Sequence, residues 1–252
     1  MYFDTHAHYC DKRFNEDRDE LLCSMNDGGV SLILNAGSSL RSSRLSLELA
    51  DKYPFIYASV GVHPHDSKSM DDRTVAVIEG LLSHPKAVAV GEIGLDYHYD
   101  FSPRDVQKKR FREQLELARQ LKLPVIIHER EALQDTLDAV REYKDLAGVF
   151  HCFSGSWETA KIILDLGWYI SFTGVVTFKN ARRALEVIEK MPVDRIMLET
   201  DCPYMAPEPM RGRRNISLYL PYIAEKVAEV RGMAVVEVAE FTTENGKRFF
   251  GI

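Results

Sequence analysis

The sequence predicts an α/β protein of the (β/α)8 TIM-barrel class, with a single domain over residues 1–252. Short apolar runs typical of buried parallel strands alternate with amphipathic helical stretches along the whole chain. The length of 252 residues is that of one closed barrel. The GxGxxG loop of an open, doubly wound dinucleotide-binding sheet is absent, which makes that rival fold less favoured.

Eight apolar runs are predicted to form the strands. Each is about 4–8 residues long, as expected of a buried parallel strand, and is bounded by turn signals. The predicted strands are residues 2–6, 30–36, 56–62, 87–92, 123–128, 147–151, 168–173 and 195–200. Because no long Pro- or Gly-rich linker interrupts them, a closed barrel in one domain is favoured over an open sheet.

The clearest predicted helix covers residues 103–121. Apolar residues recur in it near helical spacing, and Pro103 stands where the first turn of a helix tolerates proline. Further amphipathic patterns predict helices at residues 131–143, 156–166, 180–190, 217–231 and 234–249. This alternation of strand and helix is the pattern of repeated βαβ units.

Composition and charge exclude several classes of protein. A hydrophobic content of 45% excludes a disordered chain, and no apolar run approaches the roughly 18 residues of a transmembrane helix. The net charge of −6 argues against a wide, non-specific footprint on nucleic acid, but it permits an enzyme that holds one or two phosphates. The first residues lack a basic region followed by an apolar stretch, so we expect a cytoplasmic protein.

The cysteines show neither a CxxC pair nor zinc-finger spacing. They are Cys10, Cys23, Cys152 and Cys202. We expect reduced, mostly buried thiols in a reducing compartment. Cys152 and Cys202 each directly follow a candidate ligand, but nothing in the sequence supports a nucleophilic role for either.

Imidazoles and carboxylates recur at the ends of the predicted strands. His6 and His8, in DTHAH, are two residues apart, so their side chains point to the same side of an extended strand. The other candidate ligands follow apolar runs and are Glu92, His128, His151 and Asp201. Strands eight and one are neighbours in a closed barrel, and active sites lie at the C-terminal strand ends. We therefore expect these six side chains to converge.

Four histidines and two carboxylates exceed the needs of one tetrahedral zinc ion. They suit two divalent cations bridged by Glu92, and such cations lower the pKa of bound water toward about 7. Asp201 is the expected general base, and Glu92 is the expected bridge between the cations. These two residues are therefore the predicted catalytic residues. Mixed nitrogen and oxygen ligation does not distinguish Mg²⁺, Mn²⁺ and Zn²⁺. The sequence thus predicts a metal-dependent hydrolase.

Six motifs, spread from the first strand to the last, resemble those of one family. They read DTHAH, GVHPH, GEIGLDYHYDFSPRDVQ, PVIIHER, FHCFSGS and LETDCPYMAP. Their order resembles that of the TatD family of metal-dependent deoxyribonucleases, which lies among the metal-dependent TIM-barrel hydrolases. The resemblance implies nuclease activity, commonly 3′→5′ exonucleolytic on DNA, and a dinuclear site. It implies one cation among His6, His8, Glu92 and Asp201, and another among Glu92, His128 and His151.

Two further motifs are candidates for contacts with substrate. His63 and His65, in GVHPH, end the third predicted strand, and His65 is the better candidate for reaching a phosphate. Arg211, Arg213 and Arg214 follow the eighth strand, and their guanidinium groups suit bidentate binding of phosphate oxygens. Simpler roles stay open for both motifs: a hydrogen-bonded loop for the histidines and a solvated basic run for the arginines.

Two other positions near these motifs are less informative. Tyr97 and Tyr99, close to Glu92, are candidates for stacking on a base or sugar, and equally for packing within their loop. The chain reads RNIS where members of the family commonly read RNEP, so Ile216 replaces an acidic residue. No role is therefore assigned to Ile216.

Two alternative functions stay open. The same site suits cleavage of an ester or amide, as in amidohydrolases or an aminoacyl-tRNA deacylase, although a carbonyl substrate would not need the arginines. A non-enzymatic nucleic-acid or partner-binding protein on the same scaffold would be indicated by a missing ligand, and all six are present. The preferred interpretation is a DNA phosphodiesterase acting on single strands or ends, with no membrane association and no obligate protein partner.

Overall fold

The structure is a computed structural model that describes residues 1–252. Its strands are β1 (Tyr2–Ala7), β2 (Val30–Ala36), β3 (Ile56–Val60), β4 (Ala87–Asp96), β5 (Val125–Arg130), β6 (Gly148–Phe150), β7 (Tyr169–Phe172) and β8 (Ile196–Leu198). They lie in one sheet in the order β1 to β8. All eight predicted strands are therefore present.

A helix follows every strand. The helices are α1 (Arg18–Cys23), α2 (Leu40–Lys52), α3 (Thr74–Leu82), α4 (Arg104–Leu121), α5 (Leu133–Arg141), α6 (Trp157–Asp165), α7 (Arg182–Lys190), α8 (Leu220–Arg231) and α9 (Val235–Phe250). Eight strands in sequence order with helices between them define the (β/α)8 TIM-barrel class, so the predicted fold class is confirmed. None of these helices combines the length and apolar character needed to cross a membrane.

Three strand ends differ from the predicted ones in ways that affect the site. β4 continues to Asp96, so Glu92 lies within the strand and not at its end. β5 likewise continues beyond His128. β8 stops at Leu198, which leaves Asp201 in the loop that follows. The apolar runs located the strands correctly but not their ends, because strand pairing continues through polar residues and glycine.

The chain divides into two compact units, which are described separately. The first unit comprises residues 1–35 and 152–252, and the second comprises residues 36–151. That one domain spans residues 1–252 stays a prediction.

In the first unit, β8 lies beside β1. A bridge joins Ala7 to Cys202 in parallel. Helix α9 packs against both strands, and the Asn245 side chain in α9 donates hydrogen bonds to the carbonyl oxygens of Val193 and Ile196 at 2.7 and 2.8 Å. The contacts of Asn245 hold the start of β8. The bridge between Ala7 and Cys202 places the residues after β8 next to the end of β1.

In the second unit, a close approach between β4 and β5 requires a glycine. Gly94 pairs with His128 across the two strands and has a φ of +147°. A Cβ atom at this position would lie 1.9 Å from the His128 carbonyl oxygen. Glycine at position 94 therefore allows β4 to run closely beside the strand that carries His128.

Candidate metal centre

Glu92 gathers three imidazoles in the second unit. Its Oε1 atom lies 2.9 Å from His128 Nδ1, 2.9 Å from His151 Nε2 and 3.4 Å from His63 Nε2. We call these four side chains the Glu92 cluster. Three of them, His63, Glu92 and His128, have candidate ligand atoms that all lie within 4.8 Å of one another. The histidines that end the fifth and sixth predicted strands and His63 of the GVHPH motif therefore surround one carboxylate.

The electrostatics of the Glu92 cluster suit a cation. Burial would raise the pKa of the Glu92 carboxyl, but electrostatic interactions with the neighbouring imidazoles of His151 and His63 and the hydrogen bonds from His128 and His151 outweigh it. The pKa of Glu92 is consequently held well below its usual value. Burial, reinforced by the charge of His128, lowers the pKa of His63 to about 4. At neutral pH the cluster therefore contains an ionised carboxylate, the protonation state that a metal ligand requires, beside a neutral His63 imidazole.

Asp96, at the end of β4, joins two histidines. Its Oδ2 atom lies 3.0 Å from His128 Nε2 and 2.9 Å from His65 Nε2. Burial would raise the pKa of Asp96, but the hydrogen bonds from these imidazoles outweigh it and hold the pKa far below its usual value. An ionised Asp96 fixes the orientation of the His128 ring while the other ring nitrogen faces Glu92.

Helix α4 anchors the backbone on which these residues stand. The Gln107 side chain accepts a hydrogen bond from the Asp96 N–H at 2.9 Å and donates one to the Asp96 carbonyl oxygen at 3.1 Å. The Gln114 side chain does the same for Val62, at 2.8 and 3.0 Å. Val62 directly precedes His63, so two buried amides of one helix hold the segments that carry His63 and Asp96.

Two histidines and an aspartate meet in the first unit. Asp201 Oδ1 lies 3.1 Å from His8 Nε2 and 3.8 Å from His6 Nε2, and the two imidazole nitrogens are 3.1 Å apart. We call these side chains the Asp201 cluster. The Asp201 N–H donates to the His6 carbonyl oxygen at 2.9 Å. Asp201 adopts a left-handed backbone conformation with a φ of +53°, which is uncommon for a non-glycine residue and recurs at functional sites.

Asp4 supports the Asp201 cluster from within β1. Its Oδ2 atom accepts hydrogen bonds from the hydroxyl groups of Thr200 and Ser217, each at 2.5 Å. Its Oδ1 atom accepts one from the Thr200 N–H at 2.9 Å. Burial raises the pKa of Asp4 to about 7 despite these hydrogen bonds. The carboxyl thus ties β1 to the residue next to Asp201 and to the RNIS segment, where Ser217 follows Ile216.

The three arginines after β8 differ in their surroundings: Arg214 binds other residues of the protein, whereas Arg211 and Arg213 are exposed. Arg214 Nη1 lies 2.8 Å from Asp17 Oδ1 and also donates to the Arg13 carbonyl oxygen at 2.6 Å, so Arg214 holds the loop in place. Arg211 and Arg213 are exposed, and the Arg211 guanidinium stacks 4.0 Å from the centroid of the Phe178 ring. Among the predicted phosphate contacts, Arg211 and Arg213 therefore stay available to a ligand.

The remaining predicted residues have mixed placements. His63 belongs to the Glu92 cluster through its contact with Glu92, and His65 adjoins the cluster through its contact with Asp96. The Tyr97 hydroxyl donates to Asp135 Oδ2 at 2.5 Å, which holds Tyr97 within its loop.

The expectation of mostly buried thiols is wrong. Cys202 is buried, but Cys23 is exposed and the other two are partly exposed. Cys10 lies in a turn after β1, where it is covered only in part, and Cys23 lies on the exposed side of the last turn of the short helix α1. Burial raises the pKa of the Cys202 thiol to about 12, so this side chain stays protonated at neutral pH.

Both clusters fit divalent cations. Neutral imidazole nitrogens and carboxylate oxygens are the ligands that Zn²⁺ and related ions bind in hydrolases. Bonds of about 2.1 Å at tetrahedral angles place neighbouring ligand atoms about 3.4 Å apart. The corresponding separations are 2.9–3.4 Å from Glu92 Oε1 to its imidazoles and 3.1–3.8 Å within the Asp201 cluster. The residues present therefore fit the cations that the sequence implies.

Comparisons with known proteins agree with this chemistry. A family model described as TatD related DNase matches residues 3–251. The chain is 42% identical to an uncharacterized metal-dependent hydrolase, YabD of Bacillus subtilis, over the full length of both proteins. It is 35% identical to a 3′-5′ ssDNA/RNA exonuclease, TatD of Escherichia fergusonii, with 99% of each chain covered. A crystal structure of YjjV, a TatD homologue from Escherichia coli, superposes with a TM-score of 0.94 at 29% identity and covers 100% of this chain and 98% of its own.

Fold, ligand clusters and relatives together define a metal-dependent hydrolase of the (β/α)8 class. Within that class, the chain belongs to the TatD-related DNase family.

Proposed function

We propose that the chain is a metal-dependent nuclease that hydrolyses the phosphodiester bonds of DNA, as a 3′–5′ exonuclease on single strands or ends. The observation that carries the proposal is the pair of clusters in which a carboxylate is surrounded by imidazole nitrogens at ligand spacing. The 35% identical relative that is named a 3′-5′ ssDNA/RNA exonuclease supports a nucleic-acid substrate.

We assign two divalent cations, Mg²⁺, Mn²⁺ or Zn²⁺, to the six predicted ligands. The first would be held by His6, His8, Glu92 and Asp201, and the second by Glu92, His128 and His151. Glu92 is assigned as the bridge because it offers two oxygens and because the C-terminal ends of all strands share one face in this fold class. When bound, such cations lower the pKa of water toward about 7 and offset negative charge on phosphoryl oxygens.

The side chains of the chain itself have distinct roles in the proposed reaction. Asp201 accepts a proton from the attacking water, as a general base held beside His6 and His8. Arg211 and Arg213 hold phosphate oxygens, because both are exposed beyond β8. His63 and His65 keep a substrate-side role, with the partly exposed His65 ring fixed by Asp96.

The alternative activity, hydrolysis of an ester or amide, uses the same ligands but makes no use of Arg211 and Arg213. Attack on a carbonyl carbon does not require phosphate oxygens to be held beside the scissile bond, whereas attack on a phosphodiester does. The exposure of both arginines therefore favours the phosphodiester.

The product ladder from end-labelled oligonucleotides tests the proposed function. Purified protein is incubated with single- and double-stranded DNA and with RNA, each labelled at the 5′ or the 3′ end, with Mg²⁺, Mn²⁺ or Zn²⁺. An aryl carboxylate ester serves as the carbonyl control. We expect 5′-labelled single strands to shorten one nucleotide at a time. Intact oligonucleotides together with turnover of the ester would contradict the proposal and favour the carbonyl hydrolase.

A further inference from the structure

Tyr99 and Phe101 form an exposed, stacked pair of rings on the loop that follows β4. Their ring centroids are 5.2 Å apart and their planes differ by 24°. The two residues are 47% and 55% exposed. Burial of an aromatic ring is favourable, so two adjacent rings that stay exposed to water do not contribute this free energy to folding. An exposed apolar patch beside a candidate site indicates that a ligand binds there.

Three hydrogen bonds hold the loop that carries the pair. Asp96 Oδ1 accepts a hydrogen bond from the Tyr99 N–H at 2.9 Å, and Lys68 Nζ donates one to the Phe101 carbonyl oxygen at 2.8 Å. The Ser102 hydroxyl donates to the His65 carbonyl oxygen at 2.8 Å. A ring surface fixed in this way loses little conformational entropy when a flat ligand stacks on it.

His65 links the ring pair to the Glu92 cluster. Its ring centroid lies 5.2 Å from that of Tyr99 and 4.9 Å from that of Phe101. The same imidazole contacts Asp96, and Asp96 contacts His128 of the cluster. The His65 and His128 ring centroids are also 6.1 Å apart, so His65 alone separates a ligand on the rings from a proposed ligand of the second cation.

The charges around the rings favour a ligand with phosphates. The Arg130 guanidinium lies 4.7 Å from the centroid of the Tyr99 ring, and Lys68 reaches the Phe101 carbonyl oxygen. Two acidic side chains of the neighbouring loops already have partners: Asp100 pairs with Arg104, and Glu131 contacts the His98 imidazole. Two positively charged side chains, Arg130 and Lys68, therefore stand directly beside the ring pair, where the phosphates of a stacked ligand would lie.

We propose that Tyr99 and Phe101 are a stacking platform for a base of a single-stranded nucleic acid, with Arg130 and Lys68 beside its phosphates. The proposal rests on the proposed function, because it assigns a contact for that same substrate. A base in a duplex is already stacked on both faces, whereas a base in a single strand has a face free for an aromatic ring. Since every base has such a face, the platform gives a preference for single strands with little sequence preference.

Removing the rings while keeping the loop tests the platform. The double variant Tyr99→Ala/Phe101→Ala is compared with Tyr99→Phe/Phe101→Tyr, which keeps both rings. Leu121→Ala is the control, because Leu121 is also an exposed apolar residue, at 36%, but stands at the far end of α4. The probes are a fluorescent single-stranded oligonucleotide and an oligonucleotide of equal length made of abasic sites. Affinity is measured by anisotropy in EDTA, and KM is measured with added cation.

We expect the Ala double variant to raise Kd and KM for the normal oligonucleotide about 5- to 150-fold, the range for removing the stacking partner of a base. Binding of the abasic oligonucleotide should not change, and the variant that keeps both rings and the control should behave as wild type. Unchanged Kd for the normal oligonucleotide, or an equal weakening for the abasic one, would overturn the platform. Failure of the proposed function looks different: the rings would still govern binding, but no oligonucleotide would be cleaved.

Discussion

Asp96 Oδ2 lies 3.0 Å from His128 Nε2, while the other ring nitrogen of His128 lies 2.9 Å from Glu92 Oε1. The imidazole is therefore held between two carboxylates. Burial alone would lower the pKa of His128, but its hydrogen bonds to Asp96 and Glu92 outweigh burial and raise the pKa. A carboxylate behind a ligating imidazole fixes the orientation of the ring and makes the imidazole a stronger ligand.

Replacing Asp96 with Asn should weaken this support without removing a ligand. We expect Asp96→Asn to lower metal affinity or activity about 10- to 100-fold, the usual effect of removing such a partner. Calorimetry with Mn²⁺ or Zn²⁺ and initial rates on an oligonucleotide measure both effects. Asp105→Asn, an exposed change of the same charge on α4, is the control. Wild-type affinity and rate in Asp96→Asn would mean that His128 needs no second carboxylate.

The substitution Asp201→Asn distinguishes the role of Asp201 as a proton acceptor from its role as a metal ligand. The amide keeps an oxygen for a cation but cannot accept a proton usefully, so we expect the rate to fall about 10²- to 10⁴-fold with the fold retained. Circular dichroism and metal analysis check that the variant is folded and loaded. The exposed Asp165, at the end of α6, gives a matched Asp165→Asn control. Near-wild-type turnover with both metals bound would place the general base elsewhere.

Glu92→Ala should affect metal binding more broadly than His128→Ala. As the proposed bridge, Glu92 serves both cations, whereas His128 serves one. We expect calorimetry to show two weakened sites in Glu92→Ala and one in His128→Ala. Two intact sites in Glu92→Ala would refute the bridging role.

The arginines after β8 distinguish phosphate from carbonyl substrates. We expect Arg211→Ala/Arg213→Ala to leave metal content unchanged, to raise KM for DNA, and to flatten its salt dependence. Removing one cationic partner of a single-strand phosphate lowers the slope of log affinity against log salt by about 0.7. Arg182→Ala/Arg183→Ala removes the same charge from exposed positions on α7 and serves as the control. If the slope of log affinity against log salt were unchanged in Arg211→Ala/Arg213→Ala, the two arginines would not contact phosphates and would belong to a solvated surface.

Continuous apolar runs predicted the strands because a buried parallel strand needs apolar residues on both faces. The eight apolar runs therefore appeared directly in the sequence, and the ligands that follow them could be named. The end of β4 could not be predicted, because Gly94 and Asp96 continue the pairing with β5 without adding apolar surface.

Asp4 and Asp96 were missed for a different physical reason. Their partners are distant in sequence: His128 is 32 residues from Asp96, and Ser217 is 213 residues from Asp4. A buried aspartate in a strand is costly without such partners, so the carboxylates of DTHAH and GLDY were a signal of tertiary contacts. The sequence alone did not say which side chains would supply them.

Metal removal and restoration test the central claim most directly. Protein is dialysed against EDTA, its metal content is measured by mass spectrometry, and cleavage of a labelled single-stranded oligonucleotide is followed before and after Mg²⁺, Mn²⁺ or Zn²⁺ is returned. We expect the dialysed protein to be folded, metal-free and inactive, and we expect at least one cation to restore cleavage. Undiminished cleavage by protein that contains no cation would contradict the assignment of these clusters as a catalytic metal centre.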